Sequence, residues 1–235
     1  MPRWTTVNAA ARVYRADYTF GSGGLATCTA IGLEGDGLAL ISPPAGKRAE
    51  PILAELDGLG RVEAVVAPNG NHRLGIPGAA ERYPEAGVFA PEGVVERIQE
   101  RSPRPVQPLA ALQERLPEPV ALFAAPHVVK PDLMARVTVD GGAIWVLHDL
   151  LVNLSEMPSN PALHALLWVL GFRVGLRMNR MACRVVYRAD RRAFPTWLSE
   201  ALAEHPPVAF VPGHGPVVDD DEGLARFREV AAAGW

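Results

Sequence analysis

The sequence predicts an α/β layered fold, in which helices cover the faces of β-sheets. Residues 13–18 alternate between apolar and polar and predict a strand, and 25–33 and 38–41 are predicted as further strands of an opening β-meander. A short, continuously apolar strand follows at 62–66, as in sheets that are covered on both faces. Segments with helical spacing of apolar residues, such as 48–59, alternate with the strands.

Turn chemistry and periodicity place the other elements of the first half. Glu34-Gly35-Asp36-Gly37 predicts the hairpin turn between the last two meander strands. By its Pro, Asn and Gly content, 68–75 is a loop. The remaining predictions are a helix at 78–82, a strand at 87–90 and a helix at 92–99. The proline-rich stretch 101–119 is interpreted as a connector and as the seam between two halves.

Four strands and three helices are predicted in the second half. The strands are 120–124, 135–139, 143–147 and 208–211, and the helices are 161–170, 195–204 and a last one that runs from about 219 through Val230. Gly141-Gly142 predicts a hairpin, and acidic residues at the start of the last helix suit its positive end. A chain of 235 residues suits one large domain, so we predict a single domain over 1–235 with two β-rich halves.

Composition argues against several classes of function. A net charge of −3 gives no basic bias toward nucleic acid. The longest apolar run, 162–170, is far shorter than the ~20 residues of a membrane span. Two cysteines and no signal-peptide pattern lead us to expect a cytoplasmic protein. The expected partner is a small-molecule ligand or substrate, and a homo-oligomer is an open alternative.

Four candidate metal ligands follow apolar strands. They are His72, His127, Asp149 and His214. Imidazole nitrogen and carboxylate oxygen are ligands of zinc, iron and manganese. If the strands are neighbours that run in the same direction, the four side chains converge at one edge. The strongest local pattern is Pro212-Gly213-His214-Gly215, because its glycines permit positive φ and close approach of the backbone.

Each candidate also has a structural interpretation. His214 and His72 could be turn residues, and Asp149 could cap a following turn. His127 has no specific motif, which favours a surface or hydrogen-bonded histidine. His148 lies on the opposite face of its strand from Asp149, so we expect it in the core or behind the site.

A series of arginines is the other notable pattern. Arg173, Arg177, Arg180, Arg184 and Arg188 recur every three or four residues, as along one face of a helix. A solvated face paired with acidic residues is the simplest interpretation, and an anion or nucleic-acid site is the alternative. The sequence contains no Gly-x-Ser-x-Gly elbow, phosphate loop or Cys-x-x-Cys pair.

Taken together, these features resemble the metallo-β-lactamase fold superfamily over most of the chain. The features are the opening meander, the strand and loop at 62–68, the strand that ends at Asp149, and the segment 211–215 with His214. The resemblance implies a four-layer αββα sandwich, in which two β-rich halves lie between helices. It also implies a mononuclear or dinuclear metal site at the sheet edges and hydrolysis by metal-activated water.

The first ligand motif of that superfamily, His-x-His-x-Asp-His, is degenerate here. The matching segment is Asn69-Gly70-Asn71-His72-Arg73-Leu74. In this match Asn69 and Asn71 replace histidines, Arg73 replaces the aspartate, and His72 falls on a spacer position. In the later motifs, His127 is placed like the third histidine, Asp149 like the bridging aspartate and His214 like the final histidine.

This departure predicts at most one metal ion, because asparagine is a weak ligand and the charge of Arg73 repels cations. The implied function is a metal-dependent hydrolase of an ester, lactone, thioester or phosphoester. One zinc, iron or manganese ion would be held by some of the four candidates, with Asp149 also the catalytic residue. The alternative is a metal-free, non-catalytic binding or regulatory protein in which Asn69, Asn71 and Arg73 hold a small anion. Arg73 could equally pair with Asp149.

Overall fold

A computed structural model describes residues 3–20, 24–46, 49–157, 161, 164–165, 168 and 173–235. The chain divides into two compact units, Met1–Phe123 and Ala124–Trp235. The predicted seam at 101–119 lies in the last part of the first unit. Whether both units form a single domain stays a prediction.

The first unit is built on one seven-stranded sheet whose strands follow chain order. The strands are β1 (Trp4–Asn8), β2 (Val13–Phe20), β3 (Gly24–Gly32), β4 (Gly37–Ile41), β5 (Arg61–Val66), β6 (Gly87–Ala90) and β7 (Val106–Pro108). Pairing is antiparallel from β2 to β4, as the predicted meander requires, and β1, which was not predicted, pairs antiparallel with β2; pairing is parallel from β4 to β7. The short edge strand β7 lies inside the segment predicted as a connector.

Three described helices join the parallel strands of the first unit. They are α1 (Ala49–Leu56), α2 (Ile76–Arg82) and α3 (Val95–Gln99), which follows a 3₁₀ turn at Glu92–Val94; a fourth helix, α4 (Leu109–Gln113), follows β7. Apolar residues at helical spacing in α1 pack with β4 and β5 in one buried cluster that includes Leu40, Leu56 and Val65. This core fixes the strand ends that carry Ser42 and the loop 67–75.

The second unit contains a four-stranded sheet in the order β13-β10-β9-β8 and a two-stranded sheet of β11 and β12. The strands are β8 (Val120–Ala124), β9 (Leu133–Val139), β10 (Gly142–Leu147), β11 (Leu151–Leu154), β12 (Gly175–Met178) and β13 (Pro207–Pro212). The division of the chain falls within β8. Strand β10 pairs antiparallel with β9 and parallel with β13.

Two described helices, α5 (Ala193–Glu204) and α6 (Asp221–Ala233), complete the second unit. Phe210 of β13 stacks on Phe227 of α6 with ring centroids 4.4 Å apart. The buried indole of Trp145 in β10 donates to the carbonyl oxygen of His205 at 3.0 Å. The first contact packs α6 against β13, and the second ties β10 to the residue that follows α5. Both β10 and β13 lead into the candidate site.

The arginine series does not lie on one helix, so that prediction is wrong. Arg177 belongs to β12, and a π-helix at Ala182–Val186 carries Arg184. The helix predicted at 161–170 falls largely outside the described residues. Within that segment only 161, 164, 165 and 168 are described, and these four are helical. None of the described helices has the length and apolar character needed to cross a bilayer.

Candidate metal site

The ends of β10 and β13 bring together two of the predicted ligands. Leu147 is in register with Pro212, and the Gly213 N–H donates to the Leu147 carbonyl at 2.7 Å. Asp149 and His214 each lie two residues beyond that pair. Nε2 of His214 is 3.1 Å from Oδ1 of Asp149, and both side chains are largely buried. The parallel pairing therefore accounts for the contact.

Both glycines beside His214 are required by close backbone packing. A Cβ atom on Gly213 would lie 2.8 Å from the Cα atom of His148, and one on Gly215 would lie 1.5 Å from the carbonyl oxygen of Asn153. Gly215 also has a φ of 106°, which favours glycine. Asn153 of β11 donates its backbone N–H to the His214 carbonyl at 2.9 Å. The turn thus fixes the backbone of His214 against β11.

Asp149 is held from two further directions by residues that no local sequence pattern indicates. The buried Asp132 carboxylate accepts the backbone N–H groups of Asp149 at 3.0 Å and Leu150 at 3.2 Å. The Tyr187 hydroxyl donates to Oδ2 of Asp149. Tyr187 directly follows the π-helix, a rare geometry that is frequent at functional sites. Consequently, Oδ1 of Asp149 faces His214 and Oδ2 faces Tyr187.

The donor set of this pair fits a transition metal. Imidazole nitrogen and carboxylate oxygen bind zinc at about 2.0–2.2 Å, so two such ligands of one tetrahedral ion are about 3.4 Å apart. The observed 3.1 Å between Nε2 of His214 and Oδ1 of Asp149 is close to that value. A small adjustment would therefore let one ion replace the hydrogen bond.

His127 lies on the surface of the second unit. It is exposed, has a φ of 57°, and accepts the Asp190 N–H with its carbonyl at 2.8 Å. Its ring is in none of the clusters of three or more His, Cys, Asp or Glu side chains among the described residues. Its predicted role as a ligand stays a prediction. His148, expected in the core, is indeed buried, with Nδ1 3.3 Å from the Leu133 carbonyl.

In the first unit, the predicted anion-binding residues make local contacts. Oδ1 of the buried Asn69 accepts the backbone N–H groups of Asn71 at 2.9 Å and His72 at 3.1 Å, which is an Asx-type turn. Arg73 forms an ion pair with Glu100, with 2.9 Å between Nη1 and Oε2. Leu74 is exposed. The loop 69–74 thus uses several of its polar groups to hold its own shape.

His72 is anchored through its ring nitrogen Nδ1 by a small polar network. Nδ1 of His72 is 2.8 Å from Oγ of Ser42, which is 3.2 Å from the Tyr18 hydroxyl. Ser42 directly follows β4 with a φ of 55°, and its N–H donates to the Val66 carbonyl at 3.0 Å. A metal at His72 would therefore bind Nε2. The rule that selected strand-end histidines, extended to hydroxyl residues, would have found Ser42.

No known sequence family matches the chain, and no curated protein matches it. Solved structures do. The metallo-β-lactamase DIM-1 superposes with a TM-score of 0.60 and 10% identity, over 98% of this chain and 97% of that one. The chain has the metallo-β-lactamase fold. The mono-zinc form of the metallo-β-lactamase FIM-1 from Pseudomonas aeruginosa gives a TM-score of 0.56 and 14% identity, over 97% and 96% of the two chains.

The metallo-β-lactamase fold of this chain also occurs in a flavo di-iron protein from Thermotoga maritima. That structure gives a TM-score of 0.60 and 15% identity, and the match covers 98% of this chain but 63% of the other. The α/β class and the superfamily fold expected from the sequence are therefore confirmed. Identities this low establish the fold alone.

Proposed function

We propose that the chain is a metal-dependent hydrolase with one metal ion held by Asp149 and His214. The observation that carries the proposal is the contact between these two side chains at the ends of adjacent parallel strands, 3.1 Å apart. The metallo-β-lactamase fold supports it, since a mono-zinc protein and a di-iron protein have the same fold. Zinc, iron and manganese all suit the donor set.

Bound there, such an ion would lower the pKa of a coordinated water toward about 7 and polarise a carbonyl or phosphoryl oxygen. The chain's own residues orient the ligands. Tyr187 holds Oδ2 of Asp149, and Asp132 holds the backbone at Asp149. Catalytic zinc usually has three protein ligands, so the set needs at least one more. His72 and His127 are the candidates from the sequence.

Esters, lactones, thioesters and phosphoesters are the proposed substrates. The alternative, a non-catalytic protein that binds an anion at Asn69, Asn71 and Arg73, stays a prediction, and the ion pair of Arg73 with Glu100 gives it no support.

A cytoplasmic location is also retained as a proposal. Both cysteines are buried free thiols, and burial raises the pKa of Cys28 to about 12, so they have little thiolate at neutral pH.

Elemental analysis of the purified chain tests the proposal. We expect about one transition-metal ion per chain in the parent and in the control His205→Ala, and little metal in His214→Ala. The parent is then assayed on nitrophenyl esters, a lactone, a thioester and a phosphodiester. A folded parent that takes up no metal from excess zinc, iron or manganese, or a His214→Ala variant with full metal content, would refute the assignment.

A further inference from the structure

A second candidate site lies in the second unit, between β12 and α6. It is a cavity of about 280 Å³ whose lining includes Arg173, Arg177, Arg180, Arg226, Met178 and Val230. Four arginines therefore line one small cavity, with apolar residues on part of its wall. None of the lining residues belongs to the candidate metal site, so the two sites can be tested separately.

Positive charge accumulates around Arg177. Burial and, after it, the nearby charges of Arg173, Arg226 and Arg180 lower the pKa of Arg177. Nε of Arg177 is buried and makes no hydrogen bond within the described part of the chain. Arg226 pairs with Glu229 at 2.9 Å. For Arg177 and Arg180, the described residues place no carboxylate within ion-pair distance.

Local contacts hold two of the arginines in place. Nη2 of Arg177 donates to the Val174 carbonyl at 2.8 Å. Arg173 donates to the Trp168 carbonyl at 2.5 Å, and its guanidinium lies over the Trp168 ring, 4.1 Å from the centroid. Assembling like charges in a partly buried cavity costs free energy that a bound anion would offset. Ordering the donors before binding reduces the entropy lost when a ligand arrives.

We propose that this cavity binds a small anion with two or more phosphoryl groups. Guanidinium groups match phosphoryl oxygens in paired hydrogen bonds, and four of them suit more than one negative charge. The volume is just below the range of about 300–1,000 Å³ typical of small-molecule pockets. Single-stranded nucleic acid instead needs a positively charged groove with stacking aromatic side chains along its length. The convergence of arginines on one cavity therefore favours the small ligand.

Titration calorimetry with inorganic pyrophosphate tests this inference. Metal is first removed with EDTA, and the EDTA is then removed by dialysis, so that neither a metal at Asp149 and His214 nor a competing polyanion binds the probe or the cavity. We expect saturable binding by the full chain and at least about tenfold weaker binding in both Arg177→Gln and Arg180→Gln. Arg228→Gln is the matched control, since Arg228 is exposed on α6 and does not line the cavity. The affinity of Arg228→Gln for pyrophosphate should lie within about twofold of that of the parent.

Three results would overturn the inference. One is no binding of pyrophosphate at low salt. Another is an equal loss in Arg228→Gln, which would indicate bulk charge. The third is tighter binding of a labelled 12-nucleotide single strand than of pyrophosphate, weakened alike by all three substitutions, which would indicate a nucleic-acid surface. Circular dichroism verifies folding, and because Arg180 is exposed, its variant remains informative if Arg177→Gln unfolds.

Discussion

The loop 69–73 of the first unit and the strand ends of the second unit carry similar polar residues but use them differently. In the loop, Asn69 holds two backbone N–H groups and Arg73 pairs with a surface glutamate. At the strand ends, Asp149 and His214 meet each other. Other residues hold the backbone there. The Asp132 carboxylate accepts the backbone N–H of Asp149, and the backbone N–H of Asn153 donates to the His214 carbonyl.

The comparison indicates how a polar side chain stays available for ligands. Where neighbouring residues satisfy the backbone, the strand-end side chain can face its counterpart and a metal. Where the side chain itself satisfies the backbone, as Asn69 does, its oxygen is already occupied. The second unit is therefore expected to respond to substitution in both metal binding and stability, and residues Asn69 and Arg73 of the loop in stability alone.

The largest expected effect is that of Gly215→Ala. The new Cβ would overlap the Asn153 carbonyl and the positive φ would be strained, so we expect a loss of at least about 3 kcal/mol in the free energy of unfolding. Denaturant unfolding followed by circular dichroism measures it. Gly141→Ala is the matched control, because Gly141 has a φ of 84° but open space around it, and should cost about 1 kcal/mol. Equal losses would show that packing against Asn153 is unimportant.

Asn69→Ala is expected to cost about 2 kcal/mol in the free energy of unfolding. The substitution removes the acceptor of two backbone N–H groups in a buried turn and leaves them unsatisfied. The same denaturant experiment measures the loss. Gln107→Ala, at an exposed position of β7 in the same unit, should stay within about 0.5 kcal/mol of the parent. If Asn69→Ala were equally neutral, the turn would not depend on that side chain.

Tyr187→Phe is expected to weaken metal binding about tenfold while the variant still folds. The phenol orients a proposed ligand, and loss of such a support typically costs 10–100-fold in metal affinity. Competition with a chromogenic chelator gives the affinity. Tyr14→Phe, in the first unit, should leave it unchanged. An unaltered affinity in Tyr187→Phe would mean that the hydroxyl does not position Asp149.

The smallest expected effect is that of Arg73→Ala, below about 0.5 kcal/mol in stability. Its partner Glu100 is 66% exposed, and exposed ion pairs contribute little. A double-mutant cycle with Glu100→Ala, repeated at high salt, measures the coupling. A coupling above about 1 kcal/mol would show that Arg73 has a larger structural role than its surface ion pair suggests.

Sequence patterns predicted much of the fold because the residues that form clear apolar patterns are also the ones that pack in the core. The strands β6 and β8 were predicted with the bounds that the structure has, and β5 and β10 within one residue. The strands β1, β7, β11 and β12 were missed. Length alone does not explain this, since β6 has four residues as well; long-range pairing rather than local propensity defines the missed strands.

The residues of the candidate site could be predicted where they lie just beyond the end of a strand. Asp149 and His214 were both selected because each follows an apolar strand, and the structure places them in contact. Asp132 and Tyr187 were not, since their positions depend on tertiary packing that no local pattern encodes. The arginine spacing predicted a helix that does not form, yet Arg173, Arg177 and Arg180 of that series line a cavity between β12 and α6.

The contact between Asp149 and His214 joins positions 65 residues apart in sequence. Closing so long a loop is entropically costly, and parallel strand pairing forms slowly for that reason. The two ligands are therefore expected to meet only after β13 has docked beside β10. A metal ion would then be loaded onto a folded chain rather than nucleate its folding, so that metal supply would control activity without controlling the yield of folded protein.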